Sequence, residues 1–387
     1  MKMSKVVAFV MAMVLAVGCL TGCGADKGYT SENTEIKIGL SGPLTGDAAV
    51  YGVAVKNSAE LAVEEINANG GLNGMKFTLI AVDDQNDAAK ISTNYSNLVE
   101  QGMQVSLGTV TTKPGREFTN LSKEDNVFFL TPSATGDDIP KEDNGFQMCF
   151  ADGNQGKVAA DYVSSIGVKK IGVFYKSDDA YSNGIFKQFK DNLDSSIETV
   201  EAVFTGDAQD FSSQISTLKD CTFIFMPIYY QPASVFMTQA KDIINADAVY
   251  YGCDGFDGLA GQFEDFSVIP QEVSMLSHFD SNAKDGVAAD YIKKYTEKFG
   301  ADTLNQFGAS AYDCVYAIFN AMKAAVDAGQ EIDVTISASD LSDILKAQFT
   351  GDFSYSGVTG KDITWEDNGY VSKEAVKYTL KTANSAQ

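Results

Sequence analysis

From Glu35 onward, short β-branched or aromatic runs alternate with longer stretches in which apolar residues recur every three or four positions. A period near two predicts strands and a period near 3.6 predicts helices. Strands are expected at 36–40, 77–82, 105–110 and 127–131, with helices at 53–69, 88–101 and 114–123 between or after them. In the first helical window Val55, Ala59, Ala62, Val63 and Ile66 share one face, and Gly70-Gly71 ends it. The same βαβα pattern restarts at Lys169, with strands at 171–175, 199–204, 222–227 and 248–251 and helices near 182–194, 211–219 and 232–245. Two helical windows follow, 281–299 and 305–328, the second unusually long. Alternating strands and helices imply mainly parallel sheets covered on both faces, with ligands outside the carboxyl ends of the strands. The fold class expected is therefore α/β, with two doubly wound lobes. The late helices suggest a return to the first lobe, so the expected cleft lies between lobes joined by several crossings, placed near residues 148, 278 and 370.

The first residues break this pattern. Lys2 and Lys5 precede an unbroken apolar run from Val6 to Val17, followed by Leu20-Thr21-Gly22-Cys23. Twelve apolar residues fall short of the ~20 needed to span a bilayer, so 1–22 reads as a secretory signal. The tetrapeptide is similar to the bacterial lipoprotein box, which implies cleavage before Cys23 and its lipidation. Gly24 to Thr34 is small, polar and without periodicity, a flexible tether over 23–34.

Composition narrows the chemistry. The 387 residues carry 29 Lys and Arg against 52 Asp and Glu, a net charge of −23, and so acidic a surface repels phosphate backbones and argues against nucleic acid as a partner. A single histidine, His278, rules out a His-ligated zinc site and a multi-histidine catalytic centre. Cys149, Cys221, Cys253 and Cys314 contain no C-x-x-C spacing and read as buried thiols. No G-x-G-x-x-G or G-x-x-x-x-G-K-[ST] loop is present, so the phosphate cradles of nucleotide enzymes are missing. Asp83-Asp84-Gln85-Asn86-Asp87 lacks the glycine and glutamate of a calcium loop and reads as a solvated turn. Gly308-Ala309-Ser310-Ala311-Tyr312 lacks the second glycine of a nucleophile elbow. Neither a catalytic centre, a metal site nor a cofactor is expected.

Several segments carry a family resemblance. They are Ile36 to Gly46, Tyr51-Gly52, Ala62 to Gly74, Asp83 to Gln85, Leu107 to Thr112, Thr131 to Thr135, Ala180 to Gly184, Ala311 to Tyr316 and Gly357 to Trp365. In this order and spacing the chain resembles the leucine/isoleucine/valine-binding proteins, type 1 periplasmic binding proteins of branched-chain amino acid ABC importers. The resemblance runs over 35–384. It implies two lobes, 35–148 with 279–370 and 149–278 with 371–387. It also implies an amino acid site in the cleft.

In that family a hydroxyl in the turn after the third strand holds the ligand's carboxylate, which points to Thr112, ahead of a helix start. Capping that helix is the alternative role for Thr111 and Thr112. Thr131 to Thr135 matches a second stretch that grips the amino acid head and nominates Ser133 and Thr135, whose alternative is a turn role. The ammonium partner implied is Asp254, just past a strand end, where the best-known members carry glutamate; the alternative is a helix cap. Tyr51, Tyr181 and Tyr230 match the family's cleft aromatics. Tyr229 is assigned to packing, because neighbours on a continuing strand face opposite ways.

The resemblance implies an extracytoplasmic solute-binding lipoprotein, a monomer held by Cys23 to the bacterial membrane, that closes on an apolar amino acid and delivers it to an ABC permease. The alternative is a sensory receptor of the same fold for amides or small carboxylates. A secreted enzyme explains the sheets alone, since no base and nucleophile pair can be named.

Overall fold

The structure is a computed structural model and describes residues 33–383; the expected signal segment, Cys23 and most of the tether lie outside the described residues. Two sheets organise it. The first runs β2-β1-β3-β4-β5, from β1 (Ile36–Gly42), β2 (Phe77–Asp83), β3 (Val105–Ser106), β4 (Phe129–Thr131) and β5 (Gly145–Gln147), all pairs parallel. The second runs β11-β10-β9-β8-β6-β7, from β6 (Lys170–Lys176), β7 (Glu198–Phe204), β8 (Phe223–Met226), β9 (Val249–Gly252), β10 (Glu272–Ser277) and β11 (Val376–Lys381). Only β11 pairs antiparallel, against β10. In both sheets the strand order reverses beside the first strand laid down, the arrangement that opens a crevice at the carboxyl ends.

Helices α1 (Ala49–Ala68), α2 (Ile91–Glu100) and α3 (Thr112–Glu124) cover the first sheet, and α4 (Asp152–Ser165), α5 (Ala180–Asn192), α6 (Ser212–Leu218) and α7 (Tyr230–Ala240) the second. The chain then returns through α8 (Gly286–Phe299), α9 (Gln306–Asp327) and α10 (Ala338–Phe349) to the first lobe. The length of α9 has a packing cause. Ala309, Ala311, Ala317, Ala321 and Ala325 are fully buried, and Gly308 lets α9 approach α1 so closely that a Cβ there would lie 2.7 Å from Ser58 Oγ. Trp365 pins the final crossing, its Nε1 donating to the Gln147 carbonyl at 2.7 Å.

Some expectations need correction. The strand expected over 105–110 ends at Ser106, because Gly108 takes a left-handed φ of 62° and the Ser106 hydroxyl accepts from its N–H. The helix expected from 281 starts at Gly286, after a turn in which Asp280 accepts from Asn282 N. The helix expected over 232–245 ends at Ala240. The segments β5, β10, β11, α4 and α10 have no counterpart among the expected elements. Cys149, Cys221, Cys253 and Cys314 are unpaired and buried, and no helix among the described residues is long and apolar enough to cross a membrane.

Candidate functional site

The carboxyl ends of the two sheets face each other across a small buried cavity. From the first lobe come Tyr51 on α1, Val110, Thr111 and Thr112 at the start of α3, Ser133 and Thr135 after β4, and Phe307 on α9. From the second come Tyr181 on α5, Tyr229, and Asp254-Gly255 after β9. Thus Thr112, Ser133, Thr135, Tyr51, Tyr181 and Asp254, named from sequence, share one cavity. Its remaining free volume is about 10 Å³, room for roughly one water. The lobes are shut on each other.

Tyr230 falls outside the cavity and Tyr229 lines it, the reverse of the sequence assignment. Strand alternation ends at Met226, so the tyrosine pair sits at the cap and first residue of α7, with Pro232 in the opening turn. Tyr229 stacks on Tyr181 with ring centroids 4.7 Å apart, and Tyr230 turns aside to donate its hydroxyl to the Asp47 carbonyl at 2.6 Å. Pro232 was the signal available in the sequence, since it marks a helix start rather than a continuing strand.

The polar groups divide by lobe. On the first, Thr112 Oγ1 accepts from Gly136 N at 3.2 Å, and Ser133 Oγ donates to the Val110 carbonyl at 2.8 Å. Thr112 is the first residue of α3 and Thr111 its N-cap, yet Thr111 makes no side-chain cap bond, and its hydroxyl donates to Asn86 Oδ1 at 2.7 Å. The first-turn N–H groups of α3 therefore lack a side-chain cap beside two hydroxyls, an environment that suits a carboxylate.

On the second lobe, Asp254 is 2% exposed, accepts from Tyr181 Oη at 2.6 Å, and has its backbone N–H on Gln155 Oε1 at 3.0 Å. Burial pushes its carboxyl up to about 6, against the opposing pull of the Tyr181 and Gln155 hydrogen bonds. Gly255 is required by crowding, since a Cβ there would lie 2.7 Å from Tyr181 Oη and 2.8 Å from the Ile228 carbonyl. Phe307, Val110 and the faces of Tyr51, Tyr181 and Tyr229 supply the apolar wall.

Sequence reasoning missed Asp152, the first residue of α4. Its N–H donates to the Thr135 carbonyl at 2.7 Å, its Oδ1 has no hydrogen-bond partner among the described residues, and burial raises its carboxyl. Direct bonds also close the cleft. Tyr51 Oη donates to the Gly255 carbonyl at 2.6 Å, Gln306 N donates to Asp257 Oδ2 at 2.8 Å, and Gly153 N donates to Asp137 Oδ1 at 2.8 Å. In the last two, a carboxylate of one lobe sits on the N-terminus of a helix that packs with the other, α9 or α4, where the helix dipole favours it.

The chain is 29% identical to the Leu/Ile/Val-binding protein BraC3 of Rhizobium johnstonii, over 80% of this chain and 84% of that one. It is 26% identical to a leucine-, isoleucine-, valine-, threonine-, and alanine-binding protein of Pseudomonas aeruginosa, over 78% and 82%. Among solved structures, the branched-chain amino acid transporter substrate binding protein LivJ of Streptococcus pneumoniae, in complex with isoleucine, superposes with a TM-score of 0.76 at 26% identity, covering 89% of this chain and 100% of that one. A model of the periplasmic binding protein family matches residues 35–380. Two doubly wound sheets, a cleft between their carboxyl ends and a match along almost the whole described chain have one reading: the chain belongs to the periplasmic binding protein family.

Proposed function

We propose that this protein is the extracytoplasmic solute receptor of an ABC importer, that its solute is an apolar amino acid, and that it delivers the solute to a membrane permease. The observation that carries the reading is the division of polar groups. Hydroxyls and an uncapped helix start lie on one lobe, and a buried carboxylate lies on the other, with aromatic rings between them. A zwitterion matches that division: its carboxylate toward Thr112, Ser133 and Thr135, its ammonium toward Asp254, its side chain against Tyr51, Tyr181 and Tyr229. Tyr230 acts one step back, holding Tyr51 through a ring contact of 5.0 Å.

In this reading 35–148 with 279–370 and 149–278 with 371–387 move as two bodies, and Cys23 carries the lipid that holds the monomer at the outer side of the cell membrane. No catalytic role is assigned. The test is a thermal-shift screen of the amino acids, with each matching keto acid as control. Leucine, isoleucine or valine at 100-fold over Kd should add ~2.7 kcal/mol to stability, and the keto acids, which lack the ammonium, should add far less. The reading is wrong if no amino acid shifts the transition, or if the keto acids match their parents.

A further inference from the structure

With room for roughly one water, the shut cavity cannot hold an amino acid unless part of its wall yields. Most of the aromatic wall is fixed. Tyr51, Tyr181 and Phe307 are buried, and the first two have tied hydroxyls, Tyr51 on the Gly255 carbonyl and Tyr181 on Asp254. Tyr229 differs on both counts: it is only partly buried, and no hydrogen bond among the described residues holds its hydroxyl. It is also the N-cap of α7, with extended backbone at φ −73° and ψ 161°, so the restriction that a helical turn places on χ1 does not apply to it.

Beyond Tyr229 lies a second pocket, of about 130 Å³, and Tyr229 is the one residue that lines both spaces. They adjoin closely. Thr111 of the cavity and Asn86 of the pocket are hydrogen-bonded to each other at 2.7 Å. Ala48, Phe204, Ala208 and Pro232 give the pocket apolar lining, and Asp179 and Gln209 give it polar groups that a phenol hydroxyl could meet. A cavity of roughly 150 Å³ takes up a benzene ring. A pocket of nearly that size, partly open to solvent, has room for the ring of Tyr229.

We propose that Tyr229 is the residue that sets the size of the solute: its ring retires into the adjoining pocket when the cleft closes on an amino acid, and the space it vacates takes the end of the solute's side chain. The inference rests on the cleft reading above and adds a ceiling to it. A side chain no larger than the ring that moved is accepted, as the isobutyl group of leucine is, and the larger indole of tryptophan is refused. One methylene more or less in an apolar site is worth roughly 10- to 200-fold in discrimination, so the ceiling is a measurable one.

The test is calorimetric titration of the mature protein with alanine, leucine and tryptophan, in the wild type and in two variants that should tilt the size preference in opposite directions. Tyr229→Ala joins the cavity to the pocket, and tryptophan should gain about tenfold or more relative to leucine. Ala208→Phe fills the pocket, so the ring of Tyr229 has nowhere to go, and leucine should lose about tenfold or more relative to alanine. Ala208 lies on the loop between β7 and α6, outside the cavity wall, so that arm decides the matter even where Tyr229→Ala fails to fold. Unchanged affinity ratios in either folded variant overturn the inference, as does a wild type that binds tryptophan as tightly as leucine. A wild type that binds none of the three overturns the cleft reading and the inference with it, whereas leucine binding with unmoved ratios overturns the inference alone.

Discussion

Replacing Asp254 with asparagine should move two measurements in opposite directions. The change keeps the side chain's shape and leaves an oxygen to accept from Tyr181 Oη, now 2.6 Å away. What it removes is a charge that burial disfavours. A carboxyl raised from 3.8 to about 6 holds its charge in the closed cavity at a penalty of about 3 kcal/mol, taking 1.36 kcal/mol per pKa unit. The ligand-free Asp254→Asn protein should therefore unfold at a higher temperature than the wild type. Solute binding should weaken, because a desolvated ammonium loses its partner. Breaking such a pair is worth on the order of 2–5 kcal/mol, roughly 30- to 5,000-fold in Kd.

Calorimetric titration with the solute found in the thermal screen reads the second effect, and scanning calorimetry the first. A pH series adds a check on sign. Binding an ammonium requires Asp254 ionised, so below about pH 6 a proton must leave, and affinity should fall by up to tenfold per pH unit. In Asp254→Asn that slope should vanish. Near-native affinity in the variant would refute the ammonium pairing, and a lower melting temperature without ligand would refute the desolvation argument.

Tyr229→Ala should weaken solute binding by roughly tenfold or more, from lost apolar contact and the lost stack on Tyr181, whereas Tyr230→Phe removes only the bond to Asp47 and should change Kd by at most about fivefold; titration of both variants tests the exchange of roles, and the opposite order would restore the sequence assignment. Asp84, Asp254 and Asp257 all sit at about 6, each raised chiefly by burial. Since the folded state then holds these protons more tightly than the unfolded chain, the stability they contribute is full below about pH 4 and is lost as pH rises through about 6; the ligand-free melting temperature should fall between pH 5 and 7, and a rise would count against it. Cys23→Ser should release the protein from the membrane fraction or leave it uncleaved, which fractionation and the mass of the mature chain decide; unchanged membrane association would sink the anchor.

What sequence patterning found and missed follows from how each element is buried. The windows that became α1 and α9 carry strong signals because each buries a wide apolar face. The strand β11 was missed because it is an edge whose residues are exposed or half-buried, reading Val-Lys-Tyr-Thr-Leu-Lys without an apolar run, and β5 was missed because three residues show no period. The placement of the candidate residues was legible where it depends on position in the fold: Asp254 falls past a strand end and Thr112 at a helix start, and both line the cavity. It was not legible which of Tyr229 and Tyr230 lines the cavity, because that depended on where one strand stopped, nor at Asp152, whose helix has Gly153 and Gly156 in its first turns.

The shut cleft limits how a solute can arrive. With about 10 Å³ of free volume, the closed form cannot admit an amino acid, so binding must begin on an open form and end in closure. The closed form has its own bonds across the lobes: Tyr51 to Gly255, Tyr230 to Asp47, Gln306 to Asp257 and Gly153 to Asp137. At ~0.5–1.5 kcal/mol each, they total a few kcal/mol, comparable to the ~5.5 kcal/mol that carries an equilibrium from 1:99 to 99:1. The burial of Asp254 and Asp257 in the shut cleft opposes them. In the proposed function a solute's ammonium relieves the first of these penalties, and only such an interaction, made when closed and absent when open, can tip the balance. Bonds that shut the cleft without the solute work the other way, since they reduce the population of the only form it can enter.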